Sequence, residues 1–444
     1  MIKIVKFGGS SLANAKQFKK VKNIIKSDPT RSFVVASACG KTCKDEHKIT
    51  DLLYLCDAHI KYHIPCDSIF ELIRNRFSKI KTDLDLNYDI DLDLDALFVK
   101  ILAGVDLDFL VSRGEYYTAK LLSEYLGYHF VDAKELIFFH YDGSIDYPQS
   151  KQAFTKLTKQ YQNFVVPGFY GVLPDQKIKV MSRGGSDISG SILANIVDAD
   201  VYENWTDVSG ILKADPKIIQ NPKQIDIITY RELRELSYMG ASVLHEDTIY
   251  PVKHKNIPIH ILNTNDPTRP GTIIIDKIEE TKQSQQISGI AGKRDFSILT
   301  IQKAHMHQKA KHIKDTLAIL EKYNVAIEHL PTGIDSFSIV VETTSIQPFL
   351  YDIISEIRKV CKPNDINVVD KVSLIAIVSR FMKHRSGMSG RLFTALGNAH
   401  INISIITQTS DEMSIIVGVQ NRDYENTVRV LYHEFEGENS YEYL

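Results

Sequence analysis

Lys6, Gly8 and Gly9 fall at the end of a short apolar run over 2–7 and before a stretch with helical periodicity over 12–26. That order predicts a strand, a glycine turn and a helix N-terminus. Glycines let backbone N–H groups approach a ligand, and those groups, with the dipole of the helix, favour an anion such as a phosphate. Lys6 then stands beside the cradle, within reach of a transferring phosphoryl group. A buried strand with an ordinary turn would use the same letters, so the weight falls on what accompanies them.

Three further polar groups sit at expected strand ends, where α/β sheets place their ligands. Ser37-Ala-Cys-Gly-Lys-Thr42 closes an apolar run with small and hydroxyl residues, as either a binding loop or a plain turn would. Ser112-Arg-Gly-Glu115 follows an apolar run over 109–111. Ser112 and Glu115 fit a capping box; the rival reading is that Glu115 pairs with a substrate amine. Ser182-Arg-Gly-Gly-Ser-Asp187 opens a helix. Arg183 offers a planar fork for a carboxylate, the glycines admit a close ligand, and Asp187 could orient a metal, a lysine or a nucleophile. A plain helix start would use similar residues. Trp205-Thr-Asp-Val-Ser-Gly210 and Asp215-Pro-Lys217 then give a turn-rich segment with donors suited to a nucleotide. A phosphate cradle, a carboxylate-binding arginine, an amine-binding glutamate and a nucleotide loop together describe phosphoryl transfer to a small amino acid.

The elements that must position these groups alternate. Apolar runs predict strands over 32–38, 108–112, 163–169, 178–181, 201–205 and 257–262, and helical patterns occur over 49–60, 115–126, 187–196 and 230–237. That alternation predicts an α/β domain with a parallel or mixed sheet, residues 1–280, closed by a turn cluster over 265–271 and a polar linker over 279–286. Two local patterns fail. Asp83, Asp85 and Asn87 imitate a calcium loop, but Tyr88 stands where glycine is needed and Leu94 where glutamate is needed. The Asp/Leu alternation through Asp95 is therefore expected to be a solvated loop or edge segment. Gly40-Lys-Thr42 imitates a P-loop tail, yet Val35 occupies the position of its leading glycine.

Beyond the linker the sequence repeats. A shift of 76 residues lays Ser297, Leu299 and Ile301 on Ser373, Ile375 and Ile377, and Leu320 on Leu396. The first copy predicts strands over 296–302, 326–330 and 336–342, helices over 311–323 and 348–361, and a closing strand over 366–371, the βαββαβ order. The second ends on a helix over 423–435 and lacks a closing strand, which 286–293 could supply. The first copy, 295–371, is thus expected as an insertion in the second, 286–294 plus 372–444.

Composition bounds the function. With 444 residues, about three domains are expected. Lys plus Arg total 53 against 55 for Asp plus Glu, so no net field recommends nucleic acid or an anionic membrane. Five cysteines without C-x-x-C spacing suggest neither a disulfide framework nor a zinc site. The reading is a cytoplasmic protein, with no signal-peptide pattern and no apolar stretch near the ~18 residues of a membrane span.

Lys-Phe-Gly-Gly-Ser-Ser (6–11), Ser-Arg-Gly-Glu (112–115), Ser-Arg-Gly-Gly-Ser-Asp (182–187) and Trp-Thr-Asp-Val-x-Gly (205–210) resemble aspartate kinase, as do the paired repeats, which look like its ACT domains. The resemblance implies the amino-acid kinase fold followed by two intertwined ferredoxin-like ACT domains. It also implies ATP and Mg²⁺, and phosphorylation of the side-chain carboxylate of L-aspartate, the first step toward lysine, threonine and methionine. On matching positions, Lys6, Gly8 and Gly9 would hold the phosphoryl group and Asp187 would fix the lysine. Ser37, Thr42, Glu115, Phe169, Arg183 and Ser186 would bind aspartate; Thr206, Asp207, Asp215 and Lys217, with Lys6 and Gly9, would bind ATP. Three residues depart from the pattern: Ser10 for threonine, Leu212 for an aromatic and Ser242 for a lysine. A glutamate-type kinase of the same fold and a catalytically idle amino-acid sensor are the alternatives.

The resemblance further implies a homodimer or tetramer through the ACT domains and an amino-acid effector, lysine first, bound near 306–312 and 325–328. Glu328 would meet its amine, and backbone around Val325 and Ile327 its carboxylate. Two lysines, Lys309 and Lys311, disfavour a cation there, which leaves threonine or no effector open.

Overall fold

Strand β1 (Lys3–Phe7) buries Ile4, Val5 and Phe7 completely, and Lys6 nearly so. Apolar side chains on both faces are what a central parallel strand needs. In the computed structural model the chain then makes a 3₁₀ turn over Gly9–Leu12, and helix α1 (Ala15–Lys26) starts only after Asn14 caps it by accepting the Gln17 N–H. The glycine turn therefore does not open directly into a helix, as the periodicity over 12–26 suggests. The structure describes residues 1–43, 45–182, 184–241, 244, 246–278, 287–304, 309–382, 386–408 and 413–437. They fall into two units.

The first unit contains Met1–Ile211, Gln224–Tyr230 and the described residues of 244–278. After β2 (Phe33–Ala36) come α2 (Ile49–Lys61), α3 (Asp67–Asp83), α4 (Ile90–Ala103) and α5 (Leu107–Leu126). Then follow β3 (His129–Phe130), α6 (Tyr147–Thr158), β4 (Phe164–Pro167), a hairpin of β5 (Tyr170–Val172) and β6 (Ile178–Val180), α7 (Gly185–Ile196) and β7 (Val201–Thr206). A short pair, β8 (Ile211–Leu212) and β9 (Gln224–Ile225), precedes β10 (Ile227–Thr229), and α8 (Tyr230–Tyr238), which follows it in the chain, belongs from residue 231 to the second unit. Helix α9 (Ile249–Lys253), β11 (Ile259–Asn263) and β12 (Thr272–Ile275) close the first unit. Eight strands form one mixed sheet in the order β10-β12-β11-β7-β1-β2-β4-β3, parallel except between β11 and β12. Helices α1 to α5 bury their apolar faces in one cluster with Val5, Phe7, Val34 and Trp205.

Two sequence expectations are overturned. Residues 108–112 are not a strand but part of α5, whose cap is Asp106, accepting the Asp108 and Phe109 N–H groups. Ser112 and Glu115 therefore cannot form a capping box. The Asp/Leu alternation is not a solvated loop throughout: from Ile90 it is α4, with Ile90, Leu94, Leu97 and Ile101 buried at helical spacing. That 3.6-residue stripe overrode the local period of two.

The second unit contains Leu212–Lys223, residues 231–241 and the described residues from 287 onward. Its strands are β13 (Gly289–Gln302), β14 (Ser336–Glu342), β15 (Asp365–Val378), β16 (Ile403–Thr407) and β17 (Ser414–Gln420). In chain order its helices are α10 (Lys309–Lys322), α11 (Thr343–Ile346), α12 (Leu350–Cys361), α13 (Met388–Asn398) and α14 (Tyr424–Glu436). The sheet order is β14-β13-β15-β17-β16, all antiparallel. β13 and β15 are long enough to serve two cores. Residues 296–302 of β13 pair with β14 and with 365–372 of β15, while 289–293 pair with 374–378, which in turn pair with β17. The strand expected over 326–330 reduces to one bridge, His329 to Val340. Two segments that the sequence placed with residues 1–280, 212–223 and 231–241, lie in this unit. Ala214 and Ile219 join a core with Ile290, Ile375 and Val417. Buried Glu232 of α8 accepts hydrogen bonds from Arg380 and Ser288. No helix among the described residues is long and apolar enough to cross a membrane.

Candidate active site

The first unit gathers polar residues at the carboxyl ends of β1, β2, β4 and β7. Alternation along β1 sends Val5 and Phe7 into the cluster with α1–α5 and Lys6 to the other face. There Lys6 Nζ lies 2.5 Å from Asp187 Oδ1 in the first turn of α7. Asn204, buried on β7 beside β1, donates from Nδ2 to the same oxygen at 2.6 Å, and its Oδ1 accepts from Lys6 Nζ at 3.4 Å. Tyr202 donates its hydroxyl to the Asp187 carbonyl at 3.0 Å, tying α7 to β7.

Gly8 and Gly9 are pinned from two sides. The Gly8 N–H donates to the Trp205 carbonyl, and the Gly40 N–H donates to the Gly9 carbonyl at 2.8 Å. A Cβ on Gly40 would lie 2.5 Å from the Gly9 carbonyl carbon, so only glycine lets the loops after β1 and β2 close on each other. Arg76 of α3 completes the brace by donating to the Gly40 carbonyl at 2.8 Å and to Glu46.

A cleft of about 490 Å³ opens over these loops. Lys6, Gly8, Gly9, Ser37, Glu115, Thr206 and Asp207 line it, and Lys41 and Lys48 add positive charge. Glu115 is 5% exposed, and its Oε2 has no hydrogen-bond partner. Burial pushes its acid up to about 8, against the Ala38 N–H, Arg113 and the Ser186 hydroxyl, which pull the other way. A buried carboxylate with a free oxygen facing a cleft is incomplete until a cation meets it.

The Ser186 hydroxyl bonds to this carboxyl, and the Phe169 segment packs against that of Ser186. Phe169 holds a left-handed backbone, φ 78°, just after β4, a strained conformation for an aromatic residue. Ser189 accepts its N–H at 2.8 Å and donates to the Gly185 carbonyl at 2.9 Å, while its carbonyl accepts the Met181 N–H. A Cβ on Gly168 would lie 2.8 Å from that of Ser186, so the Phe169 and Ser186 segments are in contact.

Other expected site residues are placed elsewhere. Thr42 lines a separate hollow between α1 and α3, where its N–H donates to Glu46; the threonine lining the cleft is Thr50, in the first turn of α2. Asp215 and Lys217 are exposed on a turn of the second unit, with Asp215 accepting the Lys217 N–H. Val325 is in the core of the first repeat, and Ile327 packs against it. The Glu328 carboxylate accepts the Tyr238 hydroxyl at 2.6 Å. Arg183, Ser242 and residues 306–308 lie outside the described residues. The sequence reading missed Asn204 and Thr50. Adjacent Glu203 and Asn204 in the middle of an apolar parallel strand were a usable signal, since such strands tolerate polar side chains only when partnered.

The pattern of the amino acid kinase family matches residues 1–263, and an ACT domain pattern matches 375–435. The chain is 35% identical over 449 residues to Aspartokinase 3 of Bacillus subtilis, covering 98% of each. The crystal structure of Clostridium acetobutylicum aspartate kinase superposes with a TM-score of 0.90 at 44% identity, over 98% of this chain and 99% of that one. Escherichia coli aspartokinase III, solved with aspartate and ADP and again with lysine and aspartate, shares the fold at 23% identity, with TM-scores of 0.75 and 0.76 over 99% and 98% of this chain and 100% and 99% of those chains.

Proposed function

The chain belongs to the aspartokinase family, and we propose that its cleft transfers the γ-phosphoryl group of ATP to the side-chain carboxylate of L-aspartate. The observation that carries this reading is the unpartnered Oε2 of buried Glu115, which lines the same cleft as Lys6 of the Lys6–Asp187 pair. It supplies a binding point for a substrate ammonium within the cleft that holds the phosphate loops.

The γ-phosphoryl rests against the Gly8 and Gly9 backbone with Lys6 on one side, and Thr206 and Asp207 border the nucleotide. Aspartate sits with its amine on Glu115, beside Phe169, Ser186 and Ser37, and with its α-carboxylate on Arg183. Its side-chain carboxylate attacks phosphorus in line. One O–P bond forms as the bond to ADP breaks, and no proton moves, so no general base is required. The gain comes from alignment and from charge stabilisation by Lys6 and backbone N–H groups. Among the described residues, no group of three or more His, Cys, Asp and Glu gathers as a protein cage for a metal would. Mg²⁺ accompanying the nucleotide phosphates would supply charge neutralisation there.

The first unit carries the catalytic cleft, and the interleaved repeats form two regulatory ACT domains. The product, an acyl phosphate, is trapped by hydroxylamine as a hydroxamate. Incubation with ATP, aspartate and hydroxylamine gives hydroxamate that requires aspartate; ADP release without hydroxamate would overturn the assignment.

A further inference from the structure

We propose that Asn204 is a positioning residue for the transfer: it holds the Lys6 ammonium and the Asp187 carboxylate so that one Lys6 N–H stays free for the phosphoryl group. The inference rests on the function proposed above. The Asn204 amide has a single consistent orientation, because a lysine ammonium can only donate and an ionised carboxylate can only accept. Its Oδ1 must face Lys6, at 3.4 Å, and its Nδ2 must face Asp187 Oδ1, at 2.6 Å. The three side chains thus close a ring around one carboxylate oxygen, which also takes the Lys6 contact at 2.5 Å.

Two consequences follow from counting donors. Lys6 has three N–H groups; the ring engages two, leaving one, and a Cβ on Gly8 would lie 3.6 Å from Nζ, so the ammonium sits over the phosphate loop. The Asn204 N–H also takes up part of the Asp187 charge, so that Asp187 does not wholly absorb the ammonium's field. Both effects matter as negative charge shifts in the transition state, and neither depends on aspartate being bound. The role should therefore appear in kcat rather than in KM for aspartate.

The test measures kcat and KM for aspartate in the wild-type chain, Asn204→Leu and Asn204→Asp. Asn204→Leu is expected to lower kcat about tenfold or more, with KM for aspartate changed by less than about threefold. In Asn204→Asp, close in size to the wild-type residue, the amide donor gives way to a second negative charge beside Asp187 Oδ1 that holds Lys6 off the phosphoryl group, so kcat should again fall about tenfold or more with KM for aspartate changed by less than about threefold, a split that mere loss of packing would not produce. An active wild-type chain with Asn204→Leu or Asn204→Asp within about twofold of its kcat, or with the loss appearing in KM for aspartate instead, overturns this inference alone. A wild-type chain that does not turn over aspartate overturns the proposed function and takes this inference with it.

Discussion

Among single residues, Lys6 and Glu115 carry opposite tasks, and their substitutions should separate. Lys6 lies on a central strand with its ammonium over Gly8, so Lys6→Ala should fold and lose about 10² to 10³ in kcat. Steady-state turnover checks this, and retention of more than half the activity would remove Lys6 from the mechanism. Glu115 should act on aspartate. In the free enzyme its acid is pushed up to about 8 by burial, so at neutral pH it is mostly protonated and must lose that proton to receive an ammonium. The value of kcat/KM for aspartate should therefore rise with pH and level off near about 8. Glu115→Gln should abolish that limb and weaken aspartate use by ~2 to 5 kcal/mol, leaving ATP largely unaffected. A limb that survives in the variant would assign it to another group. The sign for stability follows from the same shift. A carboxyl with a raised folded-state pKa favours folding while it is protonated, and that contribution fades as pH rises from the unfolded value through about 8. Without ligand, Glu115→Gln should thus melt progressively higher than wild type as pH rises across that window.

Within the second unit, the turn bearing Asp215 and Lys217 is anchored to α14. Lys213 and Glu436, both buried, meet at 2.6 Å, Lys223 donates its N–H to the Tyr432 hydroxyl, and Ala214 and Ile219 enter the core of the second repeat. Removing one partner of a buried pair strands the other charge. Glu436→Ala should therefore destabilise the chain by about 3 to 5 kcal/mol, read as a lowered melting temperature. An unchanged melting temperature would argue that the pair does not anchor the turn. The sequence made the strands of this fold legible where apolar runs were bounded by glycine or polar turns, as at β1, β4 and β7. It misread α5 because Asp108 and the run over 109–111 imitate a strand entrance, whereas Asp106 caps a helix there. It misplaced the threonine of the cleft because Thr42 and Thr50 flank a polar loop whose path only tertiary contacts decide. The polar pair Glu203 and Asn204 in an apolar strand marked Asn204 as partnered, but not by what, because its partners lie on β1 and α7, remote in sequence.

For the molecule as a whole, residues 328–333 pair along the outer edge of β14, whereas β16 has no outer neighbour among the described residues of the second unit's sheet, and such edges are commonly covered by another subunit. Light scattering of active enzyme should give a dimer or tetramer; an active monomer would contradict this. The same unit offers a test of regulation. An effector amine seeking Glu328 must displace the Tyr238 hydroxyl that now occupies it. If lysine is the effector, Tyr238→Phe should inhibit at lower lysine concentration than wild type, and a coupling of ~1 to 3 kcal/mol would suffice for feedback. If neither lysine nor threonine changes turnover in either chain, Glu328 has no effector role and the repeats serve assembly. The central claim is that this cleft phosphorylates aspartate, and substrate discrimination tests it most directly. A single comparison of kcat/KM for aspartate and for glutamate at saturating ATP should favour aspartate by about 10² or more, since one extra methylene would displace either the carboxylate from phosphorus or the amine from Glu115. Equal or better use of glutamate, or ATP turnover independent of either amino acid, would contradict the account.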